Sequence, residues 1–205
     1  TLFGLATSLG LGASQINAGL HAVFGMPEGA MWQVGIIAAI TCVAVTSLML
    51  GLDGGIRRLS LFNMYTAILL AAAVFIMGPT LFILNFMMQS TGDYLQQLPA
   101  LSLQTWSFSE DGREWLDSWT LFYWGWWISW SPFVGMFIAR VSRGRTIREF
   151  IVGTLLAPVG ASIAWFATFG GTALYYIVEE DNQPLQEAGT TDALFILLNE
   201  LPIAS

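Results

Sequence analysis

The sequence has no lysine, one cysteine and one histidine, and only 10% of its 205 residues are charged. Without lysine there is no phosphate-cradling glycine loop of the nucleotide-binding kind and no Schiff-base amine. The lone Cys42 excludes an internal disulfide or redox pair. It lies in an apolar run, where it reads as a small buried residue. With His21 the only histidine, a metal site of spaced histidines is excluded too. No nucleophile stands beside a base, so nothing points to an enzyme, and no cofactor is expected. Soluble domains carry about a quarter charged residues, so the scarcity of charge itself places the chain in a membrane.

What is abundant is apolar: 55% of the residues. A helix needs about 20 apolar residues to cross a bilayer, and the pattern predicts an all-α polytopic protein with spans over about 1–24, 31–52, 61–88, 119–139 and 150–178, and the start of another at 192–205. Gly10 and Gly12 in the first span are small enough to let membrane helices approach, so that span is expected among neighbours. Gly25, Pro27 and Gly29 mark the first turn. The pair Gly78–Pro79 should kink the third span. Residues 89–118 form the long polar stretch, in which TGDYLQQL reads as a short amphipathic helix and SFSEDGREW as a loop at one membrane face. The chain opens in mid-helix without an initiator methionine or signal region and stops as another segment begins, so it is expected to be part of a longer protein.

Charge is sorted by connection. Arg57, Arg58, Arg140, Arg143, Arg145 and Arg148 are six of the seven basic residues, and all fall in the second and fourth connections. Alternation puts those connections on one side, which the positive-inside rule makes cytoplasmic. Twelve of the fourteen acidic residues belong to the opposite face or lie near it, the exceptions being Asp53 and Glu149. The net charge of −7 is therefore no uniform acidic surface, and nucleic acid is not an expected partner. The arginine cluster reads best as a topology determinant, with a clamp on anionic lipid as the alternative.

The densest feature is YWGWWISWSPF, residues 123–133. At 100° per residue, Tyr123, Trp126, Trp127 and Trp130 share an arc of about 100°, with Trp124 at its edge. A quaternary ammonium has no N–H to donate, so a protein grips it with aromatic ring faces, each desolvated contact contributing about 2 kcal/mol. Interfacial belts and helix packing use the same residues, and Trp119 and Trp124 suit that reading. The pattern alone leaves cage and packing both open. Pro132 frees the carbonyl of Ile128 and disfavours helix at Ser131, while Ser129 and Ser131 offer hydroxyls to the freed groups. A helix break over Ser129, Ser131 and Pro132 is expected, the kind of opening at which transporters place substrate and ions, or else an ordinary kink.

The run SWTLFYWGWWISWSPFVGMFIARVSRGRTIREF closely resembles the signature of the betaine/choline/carnitine transporter family. The resemblance continues in FGLATSLGLGASQINAGL, TGDYLQQL and WFATFGGTALY, so it covers essentially the whole chain. It implies a LeuT-like bundle of twelve helices with a five-plus-five inverted repeat, of which this chain would be the fifth to ninth helices and the first turns of the tenth. It implies that Trp126, Trp127 and Trp130, with Tyr123 beside them, bind a trimethylammonium group. In sodium-coupled members a threonine pair four residues apart holds one sodium, assisted by a phenylalanine. Thr1 and Phe133 match two of these positions, but Leu5 replaces the second threonine and offers no oxygen to a hard cation. The coupling ion is therefore Na+ or H+. The match of TGDYLQQL to a periplasmic helix that makes trimer contacts implies a homotrimer, although a helix resting on the membrane surface would read the same.

The resulting expectation is a multi-pass transporter of the bacterial cytoplasmic membrane that imports a quaternary ammonium compound such as glycine betaine, choline or carnitine by ion-coupled alternating access. The alternative is a non-transporting binding or sensor protein, or an assembly subunit whose aromatic stripe packs another helix. His21 and Glu28 read as solvated residues at the outer helix ends rather than proton carriers. Gln15 and Asn17 read as structural amides.

Overall fold

In the computed structural model, which describes residues 2–202 apart from the side chains of Leu52, Asp53 and Val141, the fold is all-α, and no strand occurs among the described residues. The long helices are α1 (Leu2–Phe24), α2 (Ala30–Met49), α3 (Arg57–Met77), α4 (Thr80–Leu103), α6 (Phe122–Val141) and α8 (Ala157–Glu179). Shorter ones are α5 (Glu110–Trp115), α7 (Ile147–Ile151), α9 (Gln183–Gln186) and α10 (Ala193–Asn199). Wider π-helical turns, Leu52–Ile56, Leu116–Leu121 and Val152–Leu156, lead into α3, α6 and α8. Helical backbone satisfies its own hydrogen bonds, which a hydrocarbon core requires. Ala30–Met49, Gly54–Met77 and Ile147–Glu179 are long and apolar enough to cross a membrane.

The expected 61–88 span is not one kinked helix. Gly78 takes extended backbone (φ −81°, ψ −175°) and ends α3, and Pro79 then starts a new helix. That helix, α4, runs through 88 and 89 without a boundary, so TGDYLQQL is part of a long helix rather than a separate amphipathic one. Pro99 lies inside α4 without ending it. The polar loop closes on Ser109, whose hydroxyl accepts from Gly112 N (3.1 Å) to cap α5. The arginine-rich turn ends in a capping box: Thr146 N donates to Glu149 (2.9 Å) and Glu149 N donates to the Thr146 hydroxyl (3.3 Å).

The described chain divides into two compact units, one joining the residues up to Thr7 with Gln89–Ala161, the other joining Ser8–Met88 with the residues from Ser162 onward. In the second unit the elbow between α3 and α4 packs on α8. Val74, Ile83 and Thr172 are fully buried there. A Cβ on Gly171 would stand 3.1 Å from Phe86, and the Phe82 and Tyr175 rings meet edge to face at 5.4 Å. Asn17, 1% exposed, clamps the first turn: its amide donates to the Pro27 carbonyl (3.3 Å) and accepts from Gly29 N (3.1 Å). Gln15 is exposed. On α1 the buried residues are Gly4, Ala13, Asn17 and Ala18, whereas a Cβ on Gly10 or Gly12 would meet nothing within 4 Å. Cys42 is exposed on α2, not buried: it lines an open groove that Gly54, Gly55, Arg58 and Leu59 border on the other side.

Candidate functional site

The aromatic run lies in the first unit, on α6, which follows directly on the π-helical turn Leu116–Leu121. Residues three and four apart share a helix face, and the rings here form a continuous ladder. Trp119 stacks on Tyr123 (6.3 Å, 14°) and Tyr123 on Trp126 (5.9 Å, 20°), while Phe122 meets Trp126 edge to face (5.7 Å). One turn on, Trp130 meets Phe133 edge to face at 5.7 Å. These separations are those of favourable aromatic pairs.

The ladder faces the first turns of α1 across an open cavity of about 340 Å³. Phe3, Gly4 and Thr7 form one wall, and Phe122, Gly125, Trp126 and Ser129, with Leu121 just before α6, form the other. Small-molecule sites begin at about 300 Å³, so the space suits a compact ligand. Among the described residues its walls carry ring faces and hydroxyls but no ionised group. Thr7 and Ser129 spend their hydroxyl protons on the helix backbone, Thr7 on the Phe3 carbonyl (3.0 Å) and Ser129 on the Trp126 carbonyl (2.7 Å).

The four expected cage residues are not equivalent. Trp126 lines the cavity, half-buried, and Tyr123 stacks behind it. Trp130 is half-buried and packs directly on Gly4 of α1. Trp127 is 67% exposed and makes no ring contact with another aromatic among the described residues. The 100° step from Trp126 turns it onto the flank.

The expected opening at Pro132 does not occur: α6 is continuous from Phe122 to Val141. The Ser131 hydroxyl donates to the Ile128 carbonyl (2.9 Å), the group that the proline deprives of its N–H, so nothing is left unpaired to force the helix apart. Of the expected ion-coupling residues, Thr1 lies outside the described residues. Phe133 is part exposed against Trp130, and Leu5 points an exposed aliphatic side chain from α1.

Gly4, Thr7 and Gly125 were not singled out by sequence reasoning. Gly125 could have been found as a gap in the indole stripe. Gly4 had no such signal, because its partner lies 126 positions away in the chain. In the second unit, His21 and Glu28 are exposed at the end of α1 and in the turn after it, and line a separate open cavity of about 820 Å³ with Asp192 and Glu200. His21 Nδ1 lies 2.9 Å from the Met26 carbonyl, which can only accept, so it carries the proton.

Comparison with known proteins gives a consistent result. All of residues 1–205 match a model of the betaine/carnitine/choline family of transporters. The chain is 50% identical, over its full length, to an uncharacterized transporter of Mycobacterium tuberculosis, covering 34% of that protein. It is 48% identical over 85% of its length to a glycine betaine transporter of Bacillus subtilis, covering 34% of that protein. It is 46% identical over its full length to a glycine betaine/proline/choline transporter of Vibrio parahaemolyticus, covering 36% of that protein. The chain thus spans about a third of the length of the curated relatives it matches.

Proposed function

The chain belongs to the betaine/carnitine/choline transporter family, a family of membrane transporters and not of enzymes, and from that premise we propose that the whole protein imports a quaternary ammonium compound by ion-coupled alternating access. Of the four residues, Trp126 on the cavity wall, with Tyr123 stacked behind it and Trp130 one turn on, presents ring faces to the trimethylammonium group, whereas Trp127 lies on the flank of that face. The observation that supports this most is the stacked ladder ending on Trp126 at a cavity without ionised walls. A methylated cation there loses its water shell to ring quadrupoles instead of to a hydrogen-bonding partner that its chemistry cannot use.

The coupling ion is Na+ or H+, and Leu5, which brings methyl groups where a sodium ligand would need oxygen, weighs towards H+. The relatives named above are bacterial, which supports the bacterial cytoplasmic membrane as the location. The homotrimer rests on the resemblance in TGDYLQQL. That segment forms consecutive turns of α4 with exposed Tyr94 and Leu95, a surface able to meet another copy.

Uptake of labelled glycine betaine and of labelled choline by the full-length protein, in cells stripped of their own uptake systems, tests the reading. Trp126→Leu is expected to cut uptake at low substrate concentration about 30-fold while Trp119→Leu preserves it; equal losses would make the stripe a packing surface. Counterflow in proteoliposomes separates transport from binding alone, since a pure sensor binds but does not exchange.

A further inference from the structure

Among the described residues nothing hydrogen-bonds the ring of Trp130. Its Nε1 is buried and has no partner, so the usual means of fixing an indole, an acceptor for its N–H, is missing. What holds the ring is shape. On one side it has the edge contact with Phe133 at 5.7 Å. On the other it has Gly4, buried on α1, where a Cβ would stand 2.5 Å from Nε1 and 3.0 Å from both Cδ1 and Cε2. Real Cβ atoms do not approach that closely, so the indole occupies space that any other residue at position 4 would claim. Gly4 also lines the cavity that Trp126 walls.

We infer that Gly4 is the positioning residue for Trp130: the bare backbone of α1 at this point seats the indole and, through it, fixes the spacing between α1 and the aromatic face of α6. This rests on the proposed role of the α6 rings in binding a quaternary ammonium. A methyl at position 4 would push against the five-membered ring and the N–H, not against the flexible end of a side chain. The indole must then rotate off α1, or α1 must move away from α6 and widen the cavity. Either change misplaces ring faces against a ligand held by ring faces alone. The other glycines of α1 that meet open space, Gly10 and Gly12, carry no such constraint.

The test uses the full-length protein labelled with 5-fluorotryptophan, the Trp130 signal being identified by its loss in Trp130→Leu. Gly4→Ala is expected to move the Trp130 fluorine resonance and to raise the KM for glycine betaine or choline about tenfold at an unchanged maximal rate, the signature of lost binding rather than a slowed transport cycle. Gly135→Ala, on the opposite flank of α6 where a Cβ meets nothing within 4 Å, is expected to leave both readouts alone. An unmoved resonance, or a moved resonance with an unchanged KM, overturns the inference. If Gly4→Ala fails to accumulate in the membrane, combining it with Trp130→Leu must restore accumulation, and failure to restore it overturns the inference as well. Should Trp130→Leu transport with an unchanged KM, the cage reading falls, and the fluorine shift still decides whether Gly4 seats the ring.

Discussion

At Gly78–Pro79 the helix stops, and at Ser131–Pro132 it runs on. Each proline removes an N–H from the carbonyl four residues back, and in both places a hydroxyl replaces it. Thr80 donates to Phe75 (2.7 Å) after the first proline, and Ser131 donates to Ile128 (2.9 Å) before the second. The missing hydrogen bond therefore does not decide the outcome. The residue before the proline does. Gly78 moves readily to extended backbone, keeps its N–H on the Val74 carbonyl (2.8 Å), and leaves no room there for a side chain beside Val74 and Thr172. Ser131 is tied by its own hydroxyl to the helix it would otherwise leave. One site becomes an elbow closed by packing on α8, and the other keeps a continuous helix with its aromatic face beside a cavity.

The largest expected effect lies at the elbow. Gly78→Val places a Cβ 2.6 Å from the Val74 carbonyl and 3.2 Å from the Thr172 hydroxyl, and overpacking of this kind costs about 3 kcal/mol. The full-length protein in detergent should melt well below the wild type, and an unchanged melting curve would show that the elbow is not held by packing. Next comes the division of labour between the two regions. Trp126→Leu should weaken apparent substrate affinity about 30-fold, the equivalent of one desolvated ring contact, with membrane abundance unchanged. Tyr175→Leu, which removes the ring against Phe82 at the elbow, should lower thermal stability and leave KM alone. The reverse pattern would dissolve the distinction. The smallest effect sharpens it: Ser131→Gly gives the second proline the first one's predecessor, costing about 1 kcal/mol for the lost hydrogen bond. Faster amide exchange around Ile128 should follow in Ser131→Gly and vanish when Pro132→Ala is added.

The helical class and the positions of α2 and α8 were legible because hydropathy and arginine placement are properties of local sequence. The Ser131 hydroxyl bond to Ile128 was legible too, since both groups sit within one turn. The elbow was read only as a kink, because a Gly–Pro pair states where a helix weakens but not what will pack into the bend. TGDYLQQL reads as a separate element because of its polar interruption, whereas α4 runs through the poor helix formers Thr91, Gly92 and Asp93 and on into the better ones of Leu95–Leu98. Within the candidate site, the stripe of Tyr123, Trp126 and Trp130 followed from helix geometry. The outward turn of Trp127 did not, because an arc of about 100° spans both the cavity face and its flank. Nor did Gly4, since its importance arises only when α1 and α6 meet, and a contact between distant segments leaves no trace in the local pattern of either.

Asn17 bears on how the chain is assembled. Its two bonds reach only to Pro27 and Gly29, so they close a loop of about a dozen residues, for which the entropy of closure is small. Local contacts of this sort form early, before distant helices are available. The hairpin of α1 and α2 therefore needs nothing synthesised after Gly29 to lock its turn. A polar amide that would be a liability alone in hydrocarbon is thus satisfied from the moment α2 begins.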